Sequence, residues 1–183
     1  ISRAAEFLSG HGFSVYTTAE PSTGYIGKKI REILQGAEEA TSETLALLFA
    51  ADRLHHVASE IGPKLEEGCI VLSDRYLLSS LAYQGMDNPM EWVATLNAKA
   101  RRPDLNIYFR IAPATAVARV KARGGPEEIF DAQAKQEKIA EAYEVVAART
   151  DIGMVRVVDA EASMDEVSSA INALLRECLG LAE

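Results

Sequence analysis

An α/β fold, a parallel sheet with helices on both of its faces, follows from three features of the sequence. Strand-like and helix-like segments alternate along the whole chain, the pattern of right-handed βαβ units. Cys69-Ile70-Val71-Leu72 is a short continuous apolar run, as expected of a parallel strand buried on both faces. That run leads into Asp74-Arg75, which puts an acid and an arginine at the carboxyl edge of the sheet, where open α/β sheets bind ligands.

The elements follow in order. Ala4, Ala5, Phe7 and Leu8 suit a packed helical face, and Gly10-His11-Gly12 supplies the stop. Phe13 to Thr18 alternates and is β-branched, a strand that Glu20-Pro21 ends. Tyr25 to Leu34 is a short helix closed by Gly36. Ser42 to about Ile61 is a long helix with Leu45, Leu48, Phe49, Leu54, Val57 and Ile61 in its stripe, followed by a helical turn from Pro63 to Glu67. After the buried strand Cys69 to Ser73, helices are predicted over Leu77 to Tyr83 and Met90 to Ala100. Pro103-Asp104 precedes a strand from Leu105 to Ile111, and Pro113 opens a helix to about Ala122. Gly124-Gly125-Pro126 marks a mobile loop. Asp131 to Arg149 is a further helix, Met154 to Val158 the last strand. Ser163-Met164-Asp165-Glu166 is a capping box ahead of the stripe Val167, Ile171, Leu174, Leu175, Cys178. No repeat, linker or low-complexity run interrupts the series, so 1–183 reads as one domain.

The totals restrict the partners. With a formal net charge of −8 and scattered arginines, apart from Arg101-Arg102, bulk nucleic acid is not an expected partner. No run approaches the roughly 18 apolar residues of a membrane span, and the first residues do not form a signal peptide, so a cytoplasmic protein is expected. Cys69 and Cys178, far apart and in apolar settings, read as core thiols of a reducing compartment. His11, His55 and His56 show no ligand spacing, so no metal site made wholly of side chains is expected.

Several residues carry chemistry by type and spacing. Phe49 and Arg53 are four apart, so a ring and a guanidinium share one helix face and can stack on a base and bond its edge. The same pair also suits a core phenylalanine beside a surface ion pair. Ser80 and Gln84 share a face as well, and an amide can read a pyrimidine imide; a solvated polar face would look the same. Tyr83 suits either a sugar pocket or the core. Asp74 suits a magnesium ion and Arg75 a phosphate, which it can grip with two parallel hydrogen bonds, although an Asp-Arg structural ion pair is the alternative.

Taken together, Asp74-Arg75-Tyr76-Leu77-Leu78-Ser79-Ser80-Leu81-Ala82-Tyr83-Gln84-Gly85 and Leu47-Leu48-Phe49-Ala50-Ala51-Asp52-Arg53 resemble the signatures of the thymidylate kinases. From Ile1 to about Leu175 the chain follows the family pattern almost continuously. The resemblance implies a P-loop kinase fold with strand order 2-3-1-4-5. It implies transfer of the γ-phosphoryl group from ATP to dTMP with Mg²⁺, giving dTDP for dTTP synthesis. The alternatives are a UMP or CMP kinase on the same fold and an inactive nucleotide-binding relative.

The resemblance also implies roles. Phe49 stacks on thymine, Arg53 contacts a ring carbonyl, and Ser80 and Gln84 lie along the thymine edge. Tyr83 sits near the deoxyribose and disfavours a 2′-hydroxyl. Arg75 holds the dTMP phosphate, and Asp74 helps organise the magnesium and phosphate region. Glu20-Pro21 lines the acceptor phosphate pocket, often through a cis peptide, with Ser22 and Thr23 supplying weaker contacts; many relatives have Arg where this chain has Ala19. Lys121-Ala122-Arg123-Gly124-Gly125 resembles the lid, about 121–131, that closes over ATP, with Arg123 reaching the transferring phosphoryl group. Relatives often carry a second lid arginine where this chain has Glu127-Glu128. By itself the segment also suits a solvated helix end. The loop Asp159 to Ser163, with Ala160, corresponds to the adenine border, although its residues equally suit a plain loop with a helix cap. Family members are generally homodimers that pack helices including the one with Phe49.

One family feature is absent from these residues: the Gly-x-x-x-x-Gly-Lys-Ser/Thr loop that wraps the ATP phosphates. The first strand, central in that sheet order, is missing with it. The expectation is that roughly 15 to 20 residues, one strand plus the P-loop, precede Ile1.

Overall fold

The strands of this chain pair in two separate parallel couples. In the computed structural model, which describes residues 1–123 and 133–181, β1 (Val15–Ala19) pairs with β2 (Ile70–Asp74), from Val15 opposite Ile70 to Ala19 opposite Asp74. β3 (Leu105–Arg110) pairs with β4 (Met154–Asp159), from Leu105 opposite Met154 to Arg110 opposite Asp159. The expected single sheet is therefore divided: β2 and β3 are not hydrogen-bonded to each other. A cavity of about 540 Å³ lies against both of them, lined by Val71, Leu72, Asn106 and Tyr108 among others.

Helices cover the strands. α1 (Ser2–Gly10) packs on β1 and on α9 (Met164–Leu179), which also lies on β4. α8 (Gln133–Ala147) packs on β3, β4 and α7 (Pro113–Arg123), and it meets α5 (Leu77–Gln84). α5 in turn contacts α3 (Ser42–His56) and α6 (Met90–Leu96), and α3 contacts α2 (Tyr25–Leu34). The main core joins Leu77, Leu78 and Leu81 of α5 to Val93, Tyr108, Val146 and Ile152. A second cluster joins Ile30, Ile33 and Leu34 of α2 to Leu45 of α3. Local signals set the ends: Thr41 caps α3, the Ser163–Glu166 box caps α9, and Gly180 closes α9 in the left-handed region.

Two expectations are corrected. The long helix predicted to Ile61 stops at His56; Val57–Ile61 is a π turn, and α4 (Gly62–Glu66) follows it. Pro63 has no N–H to offer the preceding turn, and the backbone widens upstream of it. Gly62 has room for this because a Cβ there would meet the Val57 carbonyl at 2.9 Å. Cys178, expected in the core, is exposed, while Cys69 is partly buried. Arg123 ends α7, but its side chain and the rest of the lid, 124–132, lie outside the described residues.

Candidate active site

The carboxyl ends of β1 and β2 build the site. The amide of Glu20 donates to the Asp74 carbonyl at 3.0 Å, so the pairing of the two strands carries one residue further. The Glu20–Pro21 peptide is cis. Two helices clamp the loop after it. From α3, the buried Asp52 carboxylate accepts the Ser22 amide at 2.7 Å and the Ser22 hydroxyl at 2.6 Å. From α2, Arg31 donates to the carbonyls of Pro21 and, at 2.7 Å, Ser22. Ser22 is thus committed to the scaffold and corrects the expectation of a ligand contact. Gly27 allows the close approach, since a Cβ there would lie 2.0 Å from the Ser22 oxygen. Gly27→Ala is expected to cost about 3 kcal/mol, the upper range for overpacking, and to raise the KM of the acceptor; urea unfolding and steady-state kinetics check both.

Arg53 occupies the centre. Its side chain is 1% exposed, which excludes the surface-pair reading. Its Nη2 donates to Glu20 Oε2 at 2.6 Å and to Ser80 Oγ at 2.8 Å, and its Nη1 to Asn97 Oδ1. The amide of Asn97 is held in turn by the Val93 carbonyl at 2.8 Å. The Tyr76 ring lies 5.1 Å from the guanidinium carbon, and its hydroxyl donates to the Arg101 carbonyl at 3.0 Å. Burial, reinforced by the Glu20 charge, pushes the Tyr76 hydroxyl up to about 12, so it stays protonated. Phe49, one turn before Arg53, is half-buried against the α2–α3 cluster. Ser80 and Gln84 are both buried, so the solvated-face reading of α5 fails. Two polar atoms in this region have no hydrogen-bond partner: Arg53 Nε and Gln84 Oε1.

Behind Glu20 a second network runs to β1. His56 Nδ1 is 3.3 Å from Glu20 Oε1, and its Nε2 is 2.8 Å from Thr18 Oγ1 and 3.3 Å from Glu60 Oε1. Glu60 also accepts from Thr18 at 2.6 Å and Tyr16 at 3.0 Å.

The other face of α5 points to α8. Tyr143 bonds Ser79 at 2.8 Å, stacks on Tyr108 at 4.9 Å and meets the edge of Tyr83 at 6.1 Å. Burial pushes the Tyr143 hydroxyl up to about 12. Arg75, exposed at the end of β2, lies over the Tyr83 ring at 4.7 Å. Its φ of 69° is the only left-handed backbone among described residues other than glycine. Asp74 beside it is exposed. At the carboxyl ends of β3 and β4 the Ala160 amide donates to Arg110 O, and its carbonyl accepts Arg119, both at 2.8 Å. The backbone contacts expected of Ala160 are therefore already occupied within the protein.

A family model described as thymidylate kinase matches residues 2–171. The chain belongs to the thymidylate kinase family. A probable thymidylate kinase of Pyrococcus abyssi (strain GE5 / Orsay) is 40% identical over 185 residues, 97% of this chain and 89% of that protein. One from Pyrobaculum aerophilum is 38% identical over 163 residues, covering 88% and 83%. One from Pyrobaculum calidifontis is 37% identical over 166 residues, covering 90% and 84%. Thymidylate kinases are ATP-dependent dTMP kinases.

Sequence reasoning thus named Glu20, Phe49, Arg53, Asp74, Arg75, Ser80, Tyr83 and Gln84, and the fold gathers these at one sheet edge and the helices around it. It missed His56, Asn97, Asp52 and Tyr143. The spacing of His56, three residues from Arg53, was a usable signal, whereas Asn97 sits in a turn and had none.

Proposed function

We propose that this chain transfers the γ-phosphoryl group of ATP to dTMP, giving ADP and dTDP for dTTP synthesis. The pair of unpartnered buried atoms carries the choice of acceptor. Arg53 Nε is a donor and Gln84 Oε1 an acceptor. A buried polar group left unpaired costs about 1–3 kcal/mol. The imide edge of thymine offers a carbonyl acceptor beside an N–H donor and satisfies both. Cytosine presents an amino donor where Arg53 needs an acceptor, which disfavours CMP.

The remaining roles are assigned from the family pattern. Phe49 stacks on the base, and Tyr83 crowds the 2′ position. Ser80 and Glu20 hold Arg53 on target. Arg75 grips the acceptor phosphate. Bound with ATP, Mg²⁺ would supply neutralisation of phosphate charge. Among the described residues no cluster of three or more metal-ligating side chains exists. Asp74 is the carboxylate that would hold the ion, directly or through water. The family pattern assigns Arg123 to the transferring phosphoryl group and Ala160 to the border of adenine. The cavity lined by β2 and β3 supports the order 2-3-1-4-5, and 1–183 reads as one domain. Leu47 and Leu54, exposed and seven apart on α3, support a homodimer through that helix. Among the described residues no helix is long and apolar enough to cross a membrane. A cytoplasmic place is part of the proposal.

The test is ADP release by the full-length protein with ATP, Mg²⁺ and, separately, dTMP, dUMP, UMP, CMP and AMP. A strong preference for dTMP is expected. UMP or CMP as the best acceptor would move the assignment to those kinases, and no release from folded protein would overturn the kinase reading.

A further inference from the structure

We propose that His56 is a positioning residue for base recognition: its protonated ring bridges Glu20 to Glu60 and thereby holds the Glu20 carboxylate against Arg53. The inference rests on the reading of Arg53 as the residue that contacts the base. His56 is 1% exposed and makes close approaches through both ring nitrogens. Glu20 has one oxygen on Arg53 and the other on His56. A rotation of this carboxylate would move the guanidinium, because Nη2 is shared between Glu20 and Ser80.

Charge balance gives the physical reason. The groups that face His56 are Glu20 after β1, Thr18 on β1 and Glu60 in the π turn; Arg53, one turn earlier on α3, pairs with Glu20. Behind Glu60 stands Tyr16, with the Lys64 ammonium over its ring at 5.6 Å. Two carboxylates, Glu20 buried and Glu60 26% exposed, and one guanidinium leave a net negative charge in the cluster. A protonated His56 brings it to neutrality. Burial alone would discharge the ring, but the Glu20 and Glu60 carboxylates outweigh that and raise its pKa above the usual 6.5. A histidine of raised pKa contributes stability that is full below about pH 6.5 and is lost as pH rises through the folded-state value. As His56 loses its proton it keeps one N–H, for which Glu20 competes with Thr18 and Glu60, and the ring's charge no longer holds the Glu20 carboxylate, so the hold on Arg53 loosens.

Thymidine is the suitable probe, since it carries no titrating phosphate. Its inhibition constant against dTMP is measured on the full-length enzyme between pH 6 and 9, for wild type, His56→Gln and His55→Gln. The expected wild-type result is an affinity that falls about tenfold as His56 deprotonates, equivalent to a rise of about one pH unit in the His56 pKa on binding. His56→Gln is expected to bind at the weak, high-pH level throughout, with KM for dTMP raised about tenfold at pH 6.5 and kcat within about twofold. His55→Gln should follow wild type.

Histidine NMR of the wild type, with and without thymidine, gives the same pKa rise without relying on a variant that folds. A His56 signal whose pKa does not move on thymidine binding overturns the proposal. So does a His56→Gln profile that parallels wild type, or a loss confined to kcat. No thymidine binding at any pH would instead remove the base-site reading, and this inference with it.

Discussion

Arg75→Ala and Arg75→Gly will both lower kcat/KM for dTMP by about a hundred- to a thousandfold, and the glycine variant will be the more stable of the two by about 1 kcal/mol. The activity loss follows from removing a guanidinium placed at the carboxyl edge of the sheet, where it would balance phosphate charge. The stability difference follows from the backbone. Arg75 holds φ at 69°, a region in which a Cβ costs about 1–2 kcal/mol and glycine sits freely. Alanine keeps that cost. Both variants lose the contact with the Tyr83 ring, so this term cancels between them. Steady-state kinetics and urea unfolding give the two numbers. A glycine variant that is both more stable and inactive identifies the strained arginine as kept for function. Retained activity in either variant would move the acceptor phosphate away from Arg75.

Arg53→Met will cost about 3 kcal/mol, the lower end for breaking a buried ion pair, because Glu20 keeps His56 as a partner. For a chain of this size that corresponds to a fall in Tm of roughly 6–12 °C. Replacing both members, Arg53→Met with Glu20→Met, will recover at least half of that loss, since an apolar pair leaves no buried charge uncompensated. Activity with dTMP will not recover: both variants lose the donor meant for the base carbonyl, with kcat/KM down about a hundredfold or more. Thermal melts with a double-mutant cycle check the first part, and the dTMP assay the second. If the double variant regained activity, Arg53 would be a structural residue and the base would be read elsewhere.

The two predictions differ in how far the chain itself announced them. The Arg75 assignment was legible in one dimension, because an apolar run ending on Asp74-Arg75 locates a strand end and the strand end locates the ligand edge. Arg53 was legible only as one of two readings. Helical spacing put it beside Phe49, but spacing does not say which face of α3 is covered. The same holds for Ser80 and Gln84, whose burial comes from α3 lying across α5. The long helix through Ile61 was misjudged because apolar spacing continues through a π turn that backbone hydrogen bonding alone reveals.

Periodicity, strand-end charges and two specific strings determined the α/β class, the order of the elements, the family and most of the side chains of the candidate site. These are properties of neighbours along the chain, and a helix or strand repeats them every few residues. Tertiary structure alone decided the partners across elements. Arg53 meets Glu20 and Asn97 at separations of 33 and 44 residues, and Asp52 meets Ser22 at 30. His56 joins two carboxylates, one of them on another element. Such pairings depend on which faces pack together, and burial then turns an ordinary histidine and arginine into a charge-balanced cluster, because a charge removed from water must find its partner inside the fold.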